Sequence, residues 1–136
     1  MAKLRVVLDA NIYISAILFG GLPDEIIKLG QIGSIQILLS DQIKSEIKKV
    51  LKVKFKWTDN QIKETEQFLS DITEKVDSSS ITIDVIKDDP TDNQVLETAK
   101  SGKADIIISG DSHLLKLKKY KSIKIISPRD FLGLMK

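Results

Sequence analysis

The sequence predicts an α/β protein, a three-layer α/β/α sandwich around a mainly parallel sheet. Two observations lead there. Apolar runs of strand length alternate with amphipathic helical stretches, which implies crossover units and parallel pairing. Several of these runs (LRVVL, IQILL, IIIS and IKII) are almost wholly apolar, as strands must be when helices cover both faces of a sheet. The chain has 136 residues, no internal repeat and no long linker, so one domain over residues 1–136 is expected, large enough to bury a core.

Residues 4–8 read as the first strand, and 12–18 (IYISAIL) as a short buried helix ended by Gly20 and Gly21. Pro23 is suited to opening a second helix, which stops near Gly30. IQILL (35–39) is the second strand. Ser40 is the expected N-cap of a helix to about Lys52, with Ile43, Ile47 and Val50 on one face. Residues 58–76 read as a longer amphipathic helix, with Ile62, Leu69, Ile72 and Val76 spaced for burial. Ser78 to Ser80 form a loop, and ITIDVI (81–86) is the third strand. A helix over about 91–101 is closed by Gly102. IIIS (106–109) is the fourth strand, 112–118 a short helix and IKII (123–126) the fifth strand, before a last helical turn after Pro128. The total is five strands.

Composition narrows the chemistry. Twenty-one basic and 19 acidic residues leave a net charge of +2, so the placement of charge matters more than its sum. With no cysteine there is no disulfide, no thiolate metal site and no cysteine nucleophile. The single histidine, His113, excludes a polyhistidine zinc site. No apolar stretch approaches the roughly 20 residues that span a bilayer. The N-terminus runs straight into strand-like sequence without a long signal-peptide core, so a soluble cytoplasmic protein is expected.

Four acids stand where strands and helices should meet. Asp9 directly follows LRVVL and Asp111 follows IIISG, and ligand sites in open parallel sheets lie just outside the carboxyl ends of strands. Gly110 would allow a tight approach there. At about 100° per residue, Glu46 falls beside Ile43 and Val50, at the edge of an apolar face. Asp92 lies in a helical first turn on either capping pattern: Asp89 as N-cap with Pro90 at N1, or Thr91 as N-cap with Gln94 completing a capping box.

Each acid alone has an ordinary explanation. Asp9, Asn11 or Asp111 can cap a helix. Glu46 can reach water or pair with Lys49. The helix dipole favours an acid at Asp92, although it does not explain an inward direction. Asn11 can also hold Asp9, and Ser109 either finishes its strand or bonds a metal-bound water. Asp105, at the other end of the fourth strand, reads as structural. Together, four carboxylates at one sheet edge repel one another unless a cation lies among them. An all-oxygen site with open positions suits Mg²⁺ or Mn²⁺, ions that activate water and stabilise charge in phosphodiester hydrolysis.

Four segments, LDANIYISAIL, SDQIKSEIKKVL, DPTDNQVLETA and ADIIISGDSHLLKL, follow one another over nearly the whole chain. Their order and spacing resemble the PIN domain, a compact metal-dependent nuclease fold. The form is similar to the toxin components of prokaryotic toxin–antitoxin pairs, relatives of the virulence-associated protein C ribonucleases. The resemblance implies a Rossmann-like sandwich and cleavage of RNA to 5′-phosphate and 3′-hydroxyl ends. It carries an acidic quartet onto Asp9, Glu46, Asp92 and Asp111. Asp9, Asp92 and Asp111 are then the metal ligands, and Glu46 completes the site or orients the attacking water. The family often has threonine where this chain has Ser109; the hydroxyl is kept. No family role carries over to His113.

The resemblance also implies a homodimer and a small antitoxin protein that blocks the acidic groove. The helix 58–76, Phe131 and Leu132 are available for apolar contacts, or pack within the monomer. RNA requires positive charge near the acids. Of the runs 48–57 and 116–121, the second is favoured, with Lys116, Lys118 and Lys119 as phosphate contacts that carry no sequence readout. Trp57 and Tyr120 either stack on bases or join the core.

Rival families lack required residues. A haloacid-dehalogenase phosphatase needs a second Asp where this chain has Asn11, and a response-regulator receiver needs an acidic pair near the first strand and an Asp after the third. The alternative within the fold is a non-catalytic scaffold or RNA-binding module. Retention of all four acids favours the enzyme.

Overall fold

The computed structural model describes residues 3–87 and 89–135. In chain order the elements are β1 (Arg5–Leu8), α1 (Ala10–Phe19), α2 (Gly21–Gln31), β2 (Gln36–Ser40), α3 (Asp41–Val53), α4 (Asp59–Ile72) and β3 (Thr73–Val76). There follow α5 (Pro90–Ser101), β4 (Ile106–Ile108), α6 (Ser112–Leu117), β5 (Lys119–Tyr120), β6 (Ile123–Ile126) and α7 (Pro128–Leu134). The strands form one sheet in the order β3-β2-β1-β4-β6-β5. Neighbours from β3 through to β6 are parallel, and the two-residue β5 runs antiparallel to β6. The expected mainly parallel α/β architecture holds, with six strands among the described residues rather than five.

From β1 the chain builds outward through β2 and β3, then returns past β1 to β4. The strand order therefore reverses between β1 and β4, which opens a crevice at their carboxyl ends. These two strands are also the most buried: Val6, Val7, Leu8, Ile107 and Ile108 expose no surface. Side chains alternate across a strand, so complete burial means that helices cover both faces.

The third strand is not ITIDVI. It is Thr73–Val76, in the segment expected to end the long helix. Helix α4 stops at Ile72 because Thr73 turns extended (φ −122°, ψ 160°), and its hydroxyl donates to the Leu69 carbonyl at 2.7 Å. Residues 73–76 then complete the open edge of β2, pairing Ile37 with Thr73 through to Ser40 with Val76. Segment 81–86 is irregular instead. Its backbone groups are satisfied by α5: Ile83 N–H donates to Glu97 Oε2 (2.9 Å), and Val85 and Ile86 N–H both donate to Asn93 Oδ1 (3.1 and 2.9 Å). Asn93 Nδ2 returns a bond to the Ile86 carbonyl at 2.7 Å.

Smaller corrections concern helix ends. α2 begins at Gly21, two residues before Pro23, because Gly20 and Gly21 both take positive φ (73° and 70°) and turn the chain there. α6 ends at Leu117, with Lys118 as its C-cap.

Gly102 closes α5 against the sheet. A Cβ there would lie 2.8 Å from Leu38 Cδ1 and 2.9 Å from Val76 Cγ2. Both atoms belong to strand residues packed in the core, so Gly102→Ala should lower stability by about 1–3 kcal/mol through overpacking. A urea midpoint equal to that of the parent would contradict this packing.

Candidate metal centre

The end of β1 sets the first carboxylate. Asp9 donates its backbone N–H to the Ile108 carbonyl (3.3 Å), continuing the β1–β4 pairing by one residue. It then turns the chain as N-cap of α1, its Oδ1 accepting from Ile12 N–H at 3.0 Å. Its side chain is buried, and burial pushes its pKa up, against the lowering effect of its hydrogen bonds.

Ser109, fully buried at the end of β4, joins two of the acids. Its N–H donates to the Ile126 carbonyl (3.0 Å), which extends the β4–β6 pairing. Its hydroxyl donates to Asp9 Oδ2 and accepts the backbone N–H of Asp111 at 2.9 Å. The hydroxyl is thus spent on positioning. Ser109→Ala should cost about 1–3 kcal/mol, the range for leaving buried polar groups unpaired, whereas Ser109→Thr retains the bonds. Equal denaturation midpoints for the alanine and parent proteins would exclude this role. Gly110 meets nothing within 4 Å of a Cβ position, so the tight approach expected there is absent.

Asp111 is the N-cap of α6, its Oδ1 accepting from His113 N–H (2.8 Å) and Leu114 N–H (3.3 Å). Asp92 lies in the first turn of α5. Of the two capping patterns, Asp89 is the N-cap, with Pro90 at N1 and Asp89 Oδ1 accepting from Thr91 N–H at 3.0 Å. Only 7 % of Asp92 is exposed, and its Oδ2 is buried with no hydrogen-bond partner. Burial first, then the charges of Asp111, Asp89 and Asp9, raises its pKa to about 7.

One cleft of about 120 Å³ gathers these groups: Asp9, Glu46, Asp92 and Asp111 all line it. Asn11 also lines it, but its side chain neither caps α1 nor bonds Asp9; its backbone N–H is what favours the Asp9 carboxylate. Glu46 reaches the cleft from α3, beside Ile43, at the half-buried edge of the helix. Asp105 lies at the opposite end of the sheet, accepting Arg5 N–H at 2.9 Å. There Arg5 also bonds Glu74 and the Gly102 carbonyl, so a cation stands beside these acids.

Two acidic-site neighbours escaped the sequence reading. Asp89, assigned only to capping, also lines the cleft. His113 places Nδ1 3.7 Å from Asp92 Oδ2 and 3.5 Å from Asp111 Oδ1. The available signal was its position two residues after Asp111, in the first turn of α6. Lys116, Lys118 and Lys119 are exposed on the same stretch and form no ion pair among the described residues. Trp57 and Tyr120 are half-buried and pack against the core.

The donor set fits a divalent cation. Its oxygens are hard ligands, several carry negative charge, and Asp92 Oδ2 is buried without a hydrogen bond, a costly state that a cation would relieve.

Among solved structures, the fold is similar to that of VapBC2 from Rickettsia felis, crystallised with a DNA fragment from its promoter. The TM-score is 0.62 at 14 % identity, over 91 % of this chain and 98 % of that one. Comparison with curated proteins gave no match. The family description "PIN domain" matches residues 5–113. That segment runs from β1 into the first turn of α6 and contains all five carboxylates that line the cleft, and the chain belongs to the PIN domain family.

Proposed function

We propose that this chain, acting as one nuclease domain, is a divalent-metal-dependent endoribonuclease and the toxin of a toxin–antitoxin pair. The observation that carries the reading is the buried Asp92 Oδ2, without a hydrogen bond, in a cleft lined by three further candidate acids. Asp9, Asp92 and Asp111 would hold Mg²⁺ or Mn²⁺. When bound, such an ion supplies Lewis-acid stabilisation of phosphate charge and lowers the pKa of a water.

The chain's own residues do the rest. Glu46 lines the same cleft from α3, where it orients the attacking water. Ser109 fixes Asp9 and the Asp111 backbone in one frame. Water adds to phosphorus in line with the leaving 3′-oxygen; the P–O3′ bond breaks and that oxygen leaves as a hydroxyl. One proton of the water passes to solvent and the 3′-oxygen acquires one, so the products are a 5′-phosphate and a 3′-hydroxyl. Lys116, Lys118 and Lys119 contact flanking phosphates, which adds affinity without sequence readout.

The fold likeness to VapBC2 supports a small antitoxin as partner, and a cytoplasmic homodimer completes the reading. No helix among the described residues is long and apolar enough to cross a membrane. Titration with Mg²⁺ and Mn²⁺ should raise the melting temperature by ligand linkage, about 2.7 kcal/mol at a hundredfold excess over Kd. Cleavage of end-labelled RNA should be abolished by chelation. A protein that shows neither effect is a non-catalytic scaffold or RNA-binding module.

A further inference from the structure

We propose that His113 is a nitrogen ligand of the cation held by Asp92 and Asp111, giving a mixed oxygen–nitrogen site that selects Mn²⁺ or a later first-row divalent ion over Mg²⁺. This rests on the cation site proposed above and names a ligand that the acidic quartet lacks.

Three observations carry it. First, Asp92, Asp111 and His113 each offer one donor atom, and all three atoms lie within 4.8 Å of one another. Second, the separations from His113 Nδ1, 3.5 Å to Asp111 Oδ1 and 3.7 Å to Asp92 Oδ2, are long for hydrogen bonds. Adjacent ligands on an octahedral ion with bonds near 2.1 Å lie roughly 3.0 Å apart, so a movement of about half an ångström brings Nδ1 into a ligand position beside both oxygens. Third, Asp92 Oδ2, the atom that Nδ1 approaches, is buried and has no hydrogen bond.

The ring reaches the two aspartates from α6 rather than from the cleft wall. Nδ1 itself is buried, although the side chain is 37 % exposed, so the other ring edge faces outward. The backbone N–H of His113 already serves the cap through Asp111 Oδ1, so the cap does not require this ring placement.

Ligand chemistry then sets the preference. Imidazole nitrogen binds first-row transition ions, with affinity rising from Mn²⁺ to Cu²⁺, whereas Mg²⁺ is served by oxygen. Two carboxylates and one imidazole make a site that Mg²⁺ gains little from and a transition ion gains much.

The chain has one histidine, so any imidazole signal belongs to His113. Mn²⁺ is titrated into the untagged protein and followed by electron paramagnetic resonance, with pulsed measurement of nitrogen coupling and Mg²⁺ competition. Bound Mn²⁺ should show coupling to one imidazole nitrogen. His113→Ala should remove it and weaken Mn²⁺ about tenfold while changing Mg²⁺ less than about threefold. His113→Gln, which retains a polar side chain, should also lose the coupling.

Mn²⁺ bound with oxygen ligands alone in the parent protein overturns the assignment, and that result needs no variant to fold. If Mn²⁺ does not bind, or binds equally to Asp92→Asn, the cation site falls and this inference with it. The two failures are distinguished by whether Mn²⁺ is bound at Asp92.

Discussion

Asp9→Asn should abolish the proposed metal-dependent RNA cleavage and leave the fold at least as stable as before. Asparagine caps a helix as well as aspartate does, so the bond to Ile12 N–H survives. The side-chain oxygen that Ser109 serves is replaced at worst by an amide of the same shape. What disappears is a buried negative charge beside Asp92 and Asp111. In the metal-free protein that charge is a cost, as the upward shifts at Asp9 and Asp92 show. Its removal should raise the metal-free melting temperature, about 2–5 °C for each kcal/mol relieved in a domain of this size. The same change would remove a proposed ligand for the ion, and loss of one charge-stabilising group from an active site typically costs about 10²–10³-fold in rate. Asp9→Ala separates the two effects, because it also loses the cap at about 1 kcal/mol. Full RNA cleavage by the asparagine variant would sink the assignment of the site.

The second large effect is an inverted pH profile. The folded pKa of Asp92, about 7, lies above its ordinary value of 3.8. Between these values the folded chain holds a proton that the unfolded chain has released, so stability falls as pH rises through that interval. Asp9 shifts in the same direction. Paired surface acids such as Glu74 work oppositely: its lowered pKa stabilises the fold above the ordinary carboxylate range and is lost only in stronger acid. Metal-free protein should therefore melt higher at pH 5.5 than at pH 8. Saturating Mn²⁺ or Mg²⁺ should reverse the order, because the ion binds deprotonated carboxylates and competes with protons at the lower pH. Asp92→Asn should flatten the metal-free slope. A parent protein equally stable at both pH values would show that these carboxylates do not crowd one another.

Much of this was legible because the central strands need no context. VVL in the first strand and III in the fourth are apolar on both sides, and only a doubly covered strand accepts that pattern. The carboxylates after them followed from the position of ligand crevices in parallel sheets. The edge strand was illegible for the opposite reason. In TEKV, Glu74 and Lys75 are exposed and only Val76 is deeply buried, so the segment owes its extended form to the free edge of β2. ITIDVI misled because its alternation of isoleucine with polar residues is a strand signal, yet Asn93 and Glu97 meet its backbone from a helix. Glu46 was reachable through helical phase. For His113 the sequence offered only its position two residues after Asp111, since its approach to Asp92 depends on how the first turn of α6 lies against α5.

The Asn93 clamp has an evolutionary consequence. The stretch between β3 and α5 is anchored not by strand pairing but by the side chains of Asn93 and Glu97, on the helix that carries Asp92. Strand partners constrain a sequence residue by residue; two polar anchors constrain only the backbone they hold. Outside Ser78, Ile83 and Ile86, whose side chains are buried, this stretch is therefore open to drift in composition without disturbing the sheet, provided the anchors persist. Because it ends at Asp89, on the lip of the cleft, such drift is free to remodel what approaches the carboxylates while their scaffold stays fixed.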